Sequence, residues 1–317
     1  MYLTAEQLTQ SLDWSGLIKA LQTIFTTKVH SPVRHHHFID VPNTQQATLL
    51  LMPAWIEGKY LGVKQVSVFP GNNEKGKPGL TSLYTLSSGE TGETLAQMDG
   101  NIITARRTAA ASALASLYLS RPDSDSLLMI GAGRMGRYLV PAHMNVRPIK
   151  AIWIWDRNLS AAEQFAQDLR DQGHNAQAVT EQELASTAAQ AAIISCATLA
   201  KDPVLKGEWL HPGCHIDLVG SFTPTMREAD NAVLQKANVF VDTRAGALAE
   251  TGDLIIPINE GAFRADEIVA ELTELCSTQH KGRPALANAE DAITVFKSVG
   301  DSREDLAAAI MAFEATR

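Results

Sequence analysis

The chain has 317 residues, of which 45% are hydrophobic and 20% are charged, a balance typical of a globular protein with room for two domains. Its formal net charge of −8 argues against nucleic acid or an anionic membrane surface as the main partner. Since no apolar run has the length of a membrane span and no secretory signal pattern opens the chain, we also expect no membrane partner.

The first part of the chain carries helical and strand patterns in alternation with turns. In chain order, these are a helix at residues 4–21, strands at 47–52 and 60–69, a hairpin formed by 81–86 and 93–98, and an Ala-rich helix at 103–119. The polar segment 121–126 then interrupts the periodicity, which indicates a domain boundary.

Strands and helices alternate regularly after that segment. The strands are predicted at residues 127–130, 151–155, 176–179, 192–195, 216–219 and 239–241. This alternation predicts a mostly parallel sheet with helices on both faces, so the fold class is α/β. A last helix begins at Ser302 and is expected to return to the first domain. We therefore divide the chain into residues 1–122 with 301–317, and residues 123–300.

A glycine-rich turn, Gly131-Ala132-Gly133-Arg134-Met135-Gly136, follows the strand at 127–130 and opens a helical stretch. Gly131 permits the tight turn, Gly133 lets backbone N–H groups approach a pyrophosphate, and Gly136 lets the helix pack closely on the strand. The helix N-terminus adds a partial positive charge. This order predicts a dinucleotide site; the alternative is a turn that binds nothing.

The strand at 151–155 ends in Asp156, about 20 residues after Gly136, where an acidic residue can accept hydrogen bonds from a ribose diol. Asp156 favours a free 2′-hydroxyl and repels a 2′-phosphate, whereas Arg157 directly after it could contact that phosphate. The cofactor is therefore NAD(H) or NADP(H), with the choice open.

Three cations stand in suggestive places. Arg34 precedes a histidine triplet, Lys64 lies within an apolar strand, and Arg107 lies near the start of the Ala-rich helix. A charge in an apolar stretch must reach solvent, pair or bind something. Arg holds carboxylates through two hydrogen bonds and Lys acts as a point charge, so the three suit a small carboxylate substrate. Surface ion pairs are the alternative.

The histidines and cysteines do not predict a metal site. Successive side chains of a strand point to opposite faces, so His35-His36-His37 cannot all bind one ion, and one or two partly buried histidines are expected instead. Cys196, Cys214 and Cys276 are odd in number and far apart, which indicates neither a disulfide framework nor a zinc site. They fit a reducing compartment, so we expect a cytoplasmic location.

Several motifs together resemble the ornithine cyclodeaminase/μ-crystallin family. They are Arg34, Lys64, Met98-Asp99-Gly100, Arg107-Thr108-Ala109-Ala110, the glycine turn, Pro203-Val204-Leu205-Lys206-Gly207-Glu208-Trp209, Arg227-Glu228, Gly252-Asp253-Leu254 and Thr294-Val295-Phe296-Lys297-Ser298-Val299-Gly300. The resemblance extends from residue 34 to residue 305, nearly the whole chain. It implies a homodimer in which an N-terminal α/β domain, completed by the C-terminal helix, supplies the dimer contact and the substrate pocket, and in which the middle is a Rossmann domain.

The resemblance also implies roles for individual residues. Arg34, Lys64 and Arg107 match the cluster that binds the substrate carboxylate, and Arg107 also lies near the cofactor. The positions that match cofactor contacts are Gly133-Arg134-Met135 at the pyrophosphate, Asp156-Arg157-Asn158 at the adenosine ribose, Cys196-Ala197-Thr198 along the cofactor and Val299 near the nicotinamide.

One position separates the chemistries of the family. Cyclodeaminases carry an Asp that activates an amine shortly after the glycine of the motif that here reads Gly220-Ser221-Phe222-Thr223-Pro224, and the aligned residue is Phe222. A phenyl ring cannot accept a proton, so deamination loses its acid/base group. Reduction of a cyclic imine needs only an oriented, protonated C=N, and an apolar neighbour is compatible with that. The alternative for Phe222 is ordinary core packing.

The resemblance therefore implies an NAD(P)H-dependent reductase of Δ1-pyrroline-2-carboxylate, with Δ1-piperideine-2-carboxylate as a second candidate substrate. Lys64 is the candidate proton donor, with water as its competitor, and Arg107 is the second catalytic candidate. Three alternatives stay open: an ornithine or lysine cyclodeaminase, an enzyme like alanine dehydrogenase, and a ligand-binding protein of the μ-crystallin kind. The size of the substrate ring and any assembly beyond a dimer are not determined by the sequence.

Overall fold

A computed structural model describes the backbone of residues 1–317 and the side chains of all of them except residues 73 and 74. The chain forms two compact units, one of Met1–Thr108 with Asp301–Arg317 and one of Ala109–Gly300. The division falls inside a long helix and not in the polar segment 121–126. None of the described helices is both long and apolar enough to span a membrane.

The elements follow one another in two series. In the first part of the chain they are β1 (Tyr2–Leu3), α1 (Ala5–Ser11), α2 (Trp14–Thr26), β2 (His35–Ile39), β3 (Ala47–Ile56), β4 (Tyr60–Val68), a 3-10 turn (Pro70–Lys75), β5 (Leu80–Ser88), β6 (Thr94–Asp99) and α3 (Gly100–Leu119). The remainder comprises β7 (Ser126–Ile130), α4 (Gly136–Val146), β8 (Ala151–Trp155), α5 (Leu159–Asp171), β9 (Ala176–Ala178), α6 (Glu181–Ala188), β10 (Ile193–Cys196), β11 (His215–Leu218), α7 (Asn231–Lys236), β12 (Asn238–Val241), α8 (Arg244–Glu250), α9 (Gly252–Asn259), β13 (Ile268–Glu271), α10 (Leu272–Cys276), β14 (Thr294–Lys297) and α11 (Ser302–Glu314), with further 3-10 turns at Gly207–Trp209, Ala265–Glu267 and Arg283–Ala285.

The first unit is built on a six-stranded sheet in the order β1-β6-β5-β4-β3-β2, antiparallel except for the parallel pair of β1 and β6. Helix α11 packs on β3, β4 and β5, and α2 packs on α11. The strand register aligns Met52, Lys64, Tyr84 and Met98 across four neighbouring strands, and all four are buried. Because alternate residues of a strand share a face, this register turns Lys64 toward the core.

Strand β2 was not predicted from the sequence. It lies at the edge of the sheet and pairs with β3, and all of its residues are exposed. The expectation that one or two of His35, His36 and His37 would be partly buried is therefore wrong for the single chain. The physical reason is that an edge strand gains cover from one neighbour, and within the described residues β2 gains little more.

The second unit contains eight parallel strands in the order β13-β12-β14-β11-β10-β7-β8-β9. Its apolar core is nearly continuous along β7, β10 and β11, as expected for strands that are covered on both faces. The α/β fold class is confirmed. Strands β13 and β14 were not predicted from the sequence, because each has only four residues and ends in a charged one.

The strand order of this unit defines where a ligand is expected to bind. Counted from β7, the chain first builds outward through β8 and β9 and then returns to place β10 on the other side of β7. In parallel sheets, ligands bind at the carboxyl ends of the strands where this reversal occurs. The glycine turn lies at the carboxyl end of β7 and residues 196–198 lie at the carboxyl end of β10, so both occupy that point.

Candidate active site

In the first unit, two predicted cations meet at one carboxylate. The Lys64 ammonium lies 2.7 Å from Asp305 Oδ2 and donates to Asp305 Oδ1 at 2.8 Å. Arg107 Nε donates to Asp305 Oδ1 at 2.9 Å, and its Nη1 donates to Glu304 Oε2 at 2.7 Å. The exposed fraction of each of these four residues is 4% or less, so the cluster is a buried set of two cations and two anions.

Local sequence features place these side chains. Asp99 caps α3 by accepting hydrogen bonds from the backbone N–H groups of Asn101 and Ile102, which fixes the start of the helix that carries Arg107. Asp301 likewise accepts from Arg303 N at 2.7 Å and caps α11. Glu304 and Asp305 then lie in the first turn of α11, where the helix dipole favours negative charge.

The cluster shifts the pKa values of its members. Burial, together with the charges of Arg107 and Arg34, lowers the pKa of Lys64 to about 8 against the raising effect of Asp305. Burial would also lower the pKa of Arg107, but Asp305 and Glu304 raise it above its ordinary value. Burial would raise the pKa of Asp305, but Arg107 and Lys64 hold it below its usual range. Lys64 is thus a buried ammonium that can release its proton near neutral pH.

Arg34 belongs to the same region. It is half-buried just before β2, and its charge acts on Lys64. The three cations chosen from the sequence therefore lie within electrostatic reach of one another. Their surface-ion-pair alternative is wrong for Lys64 and Arg107, which pair in the interior.

Sequence reasoning missed Glu304 and Asp305. The signal was present: the helix 302–314 carries an apolar Ala-rich stripe, and both acids fall on positions that are fully buried. A buried carboxylate needs a cationic partner, and the chain had two embedded cations without one.

In the second unit, the glycine turn has the shape that a dinucleotide requires. Gly131 has a φ of +117°, and a Cβ there would lie 2.7 Å from the carbonyl oxygen of Ala197. A Cβ on Gly136 would lie 2.3 Å from the carbonyl oxygen of Gly131, so the helix α4 packs closely on the turn. A Cβ on Gly133 would meet no described atom within 4 Å, which leaves open space beside this residue. Tight packing at two glycines and open space at the third fit a bound pyrophosphate.

Asp156 holds this turn in place. Its Oδ2 accepts a hydrogen bond from Ala132 N at 2.8 Å, and its Oδ1 accepts one from Asn158 N at 2.8 Å. The carboxylate therefore has a fixed orientation at the end of β8 while remaining half-buried. Arg157 and Asn158 are exposed beside it, as are Gly133 and Arg134 of the turn.

The segment Cys196-Ala197-Thr198 follows β10 and approaches the turn through its backbone. Burial raises the pKa of the Cys196 thiol well above its ordinary value, with Glu228 adding to the shift, so the side chain is an uncharged core residue. The Ala197 carbonyl beside Gly131 and the half-buried Thr198 form the accessible part of the segment.

A second buried charged cluster lies behind this segment. Glu228 accepts hydrogen bonds from Thr198 and Gly220, Asp253 accepts from the backbone N–H of Glu228, and Lys297 Nζ lies 3.1 Å from Asp253 Oδ2. Burial and the Asp253 charge raise the pKa of Glu228 to about 7, against the lowering effect of Lys297. The motifs around residues 228, 253 and 297 had been noted from the sequence, but their mutual contacts had not.

Val299, predicted near the nicotinamide, is held by a buried carboxylate that the sequence did not reveal. Asp242 Oδ2 accepts from Val299 N and from Gly300 N, both at 2.6 Å, and from Ser298 Oγ at 3.3 Å. Asp242 follows β12 directly. The sequence did not single it out, because an acidic residue after a four-residue strand is not a distinctive pattern.

Phe222 is 54% exposed in the loop after β11. The alternative that it is an ordinary core residue is therefore wrong. A large aromatic side chain that remains exposed at the carboxyl edge of a parallel sheet is available to a ligand. No cluster of potential metal ligands is found among the described residues.

Comparison with known proteins assigns the class. The model of the ornithine cyclodeaminase/mu-crystallin family matches residues 1–317. The chain belongs to this family, and the prediction made from its motifs is confirmed.

Individual relatives are similar over nearly their whole length. A Δ1-pyrroline-2-carboxylate reductase of Colwellia psychrerythraea is 38% identical over 309 residues, which cover 97% of this chain and 96% of that protein. The structure of the Thermococcus litoralis Δ1-pyrroline-2-carboxylate reductase in complex with NADH and L-proline has a TM-score of 0.90 and 34% identity, and covers 99% of this chain and 96% of that one. An archaeal alanine dehydrogenase dimer with bound NAD has a TM-score of 0.88 and 27% identity, with 99% and 95% covered.

Proposed function

We propose that this protein reduces a cyclic ketimine carboxylate with NADH or NADPH, converting Δ1-pyrroline-2-carboxylate to L-proline. Reduction of Δ1-piperideine-2-carboxylate to L-pipecolate is the second candidate reaction of the same site. The names of the relatives and the NADH and L-proline bound to the Thermococcus litoralis enzyme support this assignment.

The observation that carries the proposal is the buried pair of cations, Lys64 and Arg107, on the shared carboxylate of Asp305. Asp305 fixes both cations, and Glu304 fixes the far side of the Arg107 guanidinium. Held in this way, the cations are oriented before a substrate arrives, which reduces the entropy lost on binding. With Arg34, the region holds three cations against the two carboxylates of Glu304 and Asp305, and this excess of positive charge attracts the carboxylate of a small imino acid.

The reaction requires one hydride at the imine carbon and one proton at the imine nitrogen. The bound nicotinamide supplies the hydride. Lys64 is the candidate donor of the proton, because its pKa of about 8 keeps most of the side chain protonated at pH 7 while leaving it a competent acid. After the transfer, the neutral amine of Lys64 regains a proton from solvent, and water remains the competing donor.

The residues proposed to hold the cofactor are those of the glycine turn and of three strand ends. Backbone N–H groups of Gly133, Arg134 and Met135 would bind the pyrophosphate, with Gly131 and Gly136 shaping the turn. Asp156, Arg157 and Asn158 would lie at the adenosine ribose. Residues 196–198, Val299 and Arg107 are the remaining proposed contacts.

Phe222 favours reduction over the lyase reaction of the cyclodeaminases. The loop 219–226 reads Val-Gly-Ser-Phe-Thr-Pro-Thr-Met and contains no carboxylate. An exposed phenyl ring offers an apolar wall to a pyrroline ring and cannot activate an amine.

An activity panel with two imines and two cofactors tests the proposal. Oxidation of NADH or NADPH on addition of Δ1-pyrroline-2-carboxylate is expected, and its absence with all four combinations would overturn the proposal. Ammonia release from ornithine or lysine without net NADH change would instead identify a cyclodeaminase. Turnover of pyruvate that requires added ammonia would identify an alanine dehydrogenase, and ligand binding without any turnover would identify a protein of the μ-crystallin kind.

A homodimer formed through the first unit is proposed as well. The sheet face opposite Lys64 carries Leu51, Pro53, Leu61 and Val63, all only half-buried in the single chain. Half-exposed apolar side chains in a row are typical of a covered interface. Light scattering after gel filtration should give about twice the 34.3 kDa mass of one chain.

All three cysteines are buried thiols, which supports the proposed cytoplasmic location.

A further inference from the structure

Glu228 occupies an unusual position between two strand ends of the second unit. Its side chain is fully buried, and its two oxygens serve different segments. Oε1 accepts from Thr198 N at 2.6 Å and from Thr198 Oγ1 at 2.9 Å, and Oε2 accepts from Gly220 N at 2.6 Å. One carboxylate therefore connects the segment after β10 to the segment after β11.

The backbone at Glu228 is itself held by hydrogen bonds. Asp253, in the first turn of α9, accepts from the backbone N–H of Glu228 at 2.7 Å and from that of Ala229 at 3.3 Å. The ammonium of Lys297, at the end of β14, lies 3.1 Å from the other oxygen of Asp253. The backbone of Glu228 is thus tied to α9, and Lys297 of β14 holds the Asp253 carboxylate that makes this tie, which limits how far the backbone at Glu228 can shift if one strand end moves.

The two strand ends are packed as closely as the backbone permits. A Cβ on Gly220 would lie 2.1 Å from the carbonyl oxygen of Thr198 and 2.5 Å from Glu228 Oε1. The spacing between Thr198 and Gly220 is therefore determined by the hydrogen bonds of Glu228 and by direct backbone contact. Thr198 belongs to the proposed cofactor segment, and Gly220 lies two residues before the exposed Phe222.

We propose that Glu228 is a positioning residue that sets the spacing between the cofactor segment 196–198 and the Phe222 loop. The inference rests on the proposed function, because it assigns those two segments to the cofactor and the substrate. Glu228 touches neither ligand, since it is fully buried, and it acts through Thr198 and Gly220. Its loss should weaken cofactor binding by more than a comparable loss of stability elsewhere in the unit does.

The test compares Glu228→Gln with Asp217→Asn. An amide in place of the carboxylate keeps the volume but turns an NH2 group toward an N–H donor, so one strand end loses its acceptor. Asp217 is an equally buried carboxylate on β11, but it accepts from Ser195 Oγ at 2.7 Å and lies 3.1 Å from His143 Nε2. The control variant therefore removes a buried charge from the same unit without touching Thr198 or Gly220.

Four quantities are measured on the full chain: the Kd of NADH by calorimetry, the KM of NADH and the kcat with Δ1-pyrroline-2-carboxylate, and the melting temperature. For Glu228→Gln we expect the Kd and KM of NADH to rise about tenfold or more, with a smaller change in kcat. For Asp217→Asn we expect a fall in melting temperature comparable to that of Glu228→Gln, but a Kd of NADH within about twofold of the wild-type value.

The outcomes separate the two proposals. If the wild type does not bind NADH or NADPH, the proposed function fails first. If the wild type binds NADH and Glu228→Gln binds it equally well, the positioning role is overturned. Equal losses of NADH affinity in both variants would also overturn it. Should Glu228→Gln fail to fold, Glu228→Asp is measured in its place, because its shorter side chain retains the charge but cannot reach both Thr198 and Gly220.

Discussion

The two units bury charge in different ways. In the first unit, Lys64 and Arg107 meet Asp305 and Glu304 in ion pairs between side chains. In the second unit, three carboxylates accept hydrogen bonds mainly from backbone N–H groups. Asp156 accepts one from Ala132, Glu228 accepts from Thr198 and Gly220, and Asp242 accepts from Val299 and Gly300. The first arrangement orients the charged groups that are proposed to act on the substrate, and the second shapes the loops whose backbone is proposed to bind the cofactor.

The difference has an energetic consequence. A buried ion pair adds little net stability, but removing one partner leaves a buried charge uncompensated and costs about 3–5 kcal/mol. A carboxylate that accepts backbone N–H groups contributes about 1.5–3 kcal/mol for each hydrogen bond, and its loss mainly changes loop geometry. Substitutions in the ion pairs of the first unit should therefore alter chemistry and stability together, and substitutions of Asp156, Glu228 or Asp242 in the second unit should mainly alter ligand binding.

The largest effect is expected for Lys64→Met. The variant removes the proposed proton donor and leaves the apolar stem in place, so kcat with Δ1-pyrroline-2-carboxylate should fall by about 10²–10⁴-fold. In the wild type, kcat should also decline above pH 8, since Lys64 then loses its proton. Steady-state NADH oxidation between pH 6 and 10 checks both expectations. A folded Lys64→Met protein that keeps more than one tenth of the wild-type kcat would assign the proton to water.

The second effect contrasts Asp305→Asn with Asp253→Asn. Each variant removes a buried carboxylate from a lysine, so each should lose about 3–5 kcal/mol of unfolding free energy in denaturant titrations. Because Asp305 raises the pKa of Lys64, its removal should move the alkaline decline of kcat to lower pH. Asp253→Asn should leave that decline where it is in the wild type, and an equal displacement in both variants would contradict the assignment.

How much of the two arrangements of buried charge could be predicted depends on how far apart in the sequence the contacting residues lie. The glycine turn and the acid at the end of β8 are local patterns, and the structure has the strand before the turn, the helix after it and the strand that ends at Asp156 close to the predicted positions. Lys64 and Arg107 were recognisable as charges in apolar surroundings. Their partners are on α11, which is about 200 residues further along the chain, and no short-range pattern connects them. Asp242 and the contacts of Glu228 likewise became visible only when parallel strands brought separate loops together.

The third effect is a pH dependence of stability that arises in the second unit. Burial lowers the pKa of His215 to about 3, so the native histidine stays neutral while the unfolded one takes up a proton below pH 6.5. Stability should therefore fall as the pH drops from 6.5 toward 3, and the loss from this residue should be about 2 kcal/mol at pH 5. Glu228 acts in the opposite direction, since its raised pKa of about 7 stabilises the fold as the pH falls toward 4.5.

The variant His215→Gln isolates that contribution. It removes the titrating ring, while the opposing effect of Glu228 remains in both proteins. The unfolding free energy of the wild type should drop more than that of His215→Gln between pH 7.5 and pH 5, by about 2 kcal/mol. Identical pH slopes for the two proteins would show that His215 is not the group that titrates.

The smallest effect concerns the choice of cofactor and tests the shaping role of carboxylates in the second unit most directly. Asp156→Ala removes the charge that would repel a 2′-phosphate, so the ratio of kcat/KM for NADPH to that for NADH should rise by about tenfold. The same change removes the acceptor of Ala132 N and Asn158 N, and the turn loses its tie to the end of β8. Affinity for both cofactors should therefore fall as the ratio shifts.

Asp156→Asn serves as the matched variant, because it removes the charge but retains one oxygen acceptor. If charge alone determines the preference, both variants should show the same ratio, while Asp156→Asn keeps the higher affinity for each cofactor. A ratio that does not change in either variant would place the discrimination elsewhere at the end of β8, and Arg157 would then be the residue to replace. A shifted ratio with undiminished affinity would show that the glycine turn holds its shape without the carboxylate, through the close packing of Gly131 and Gly136.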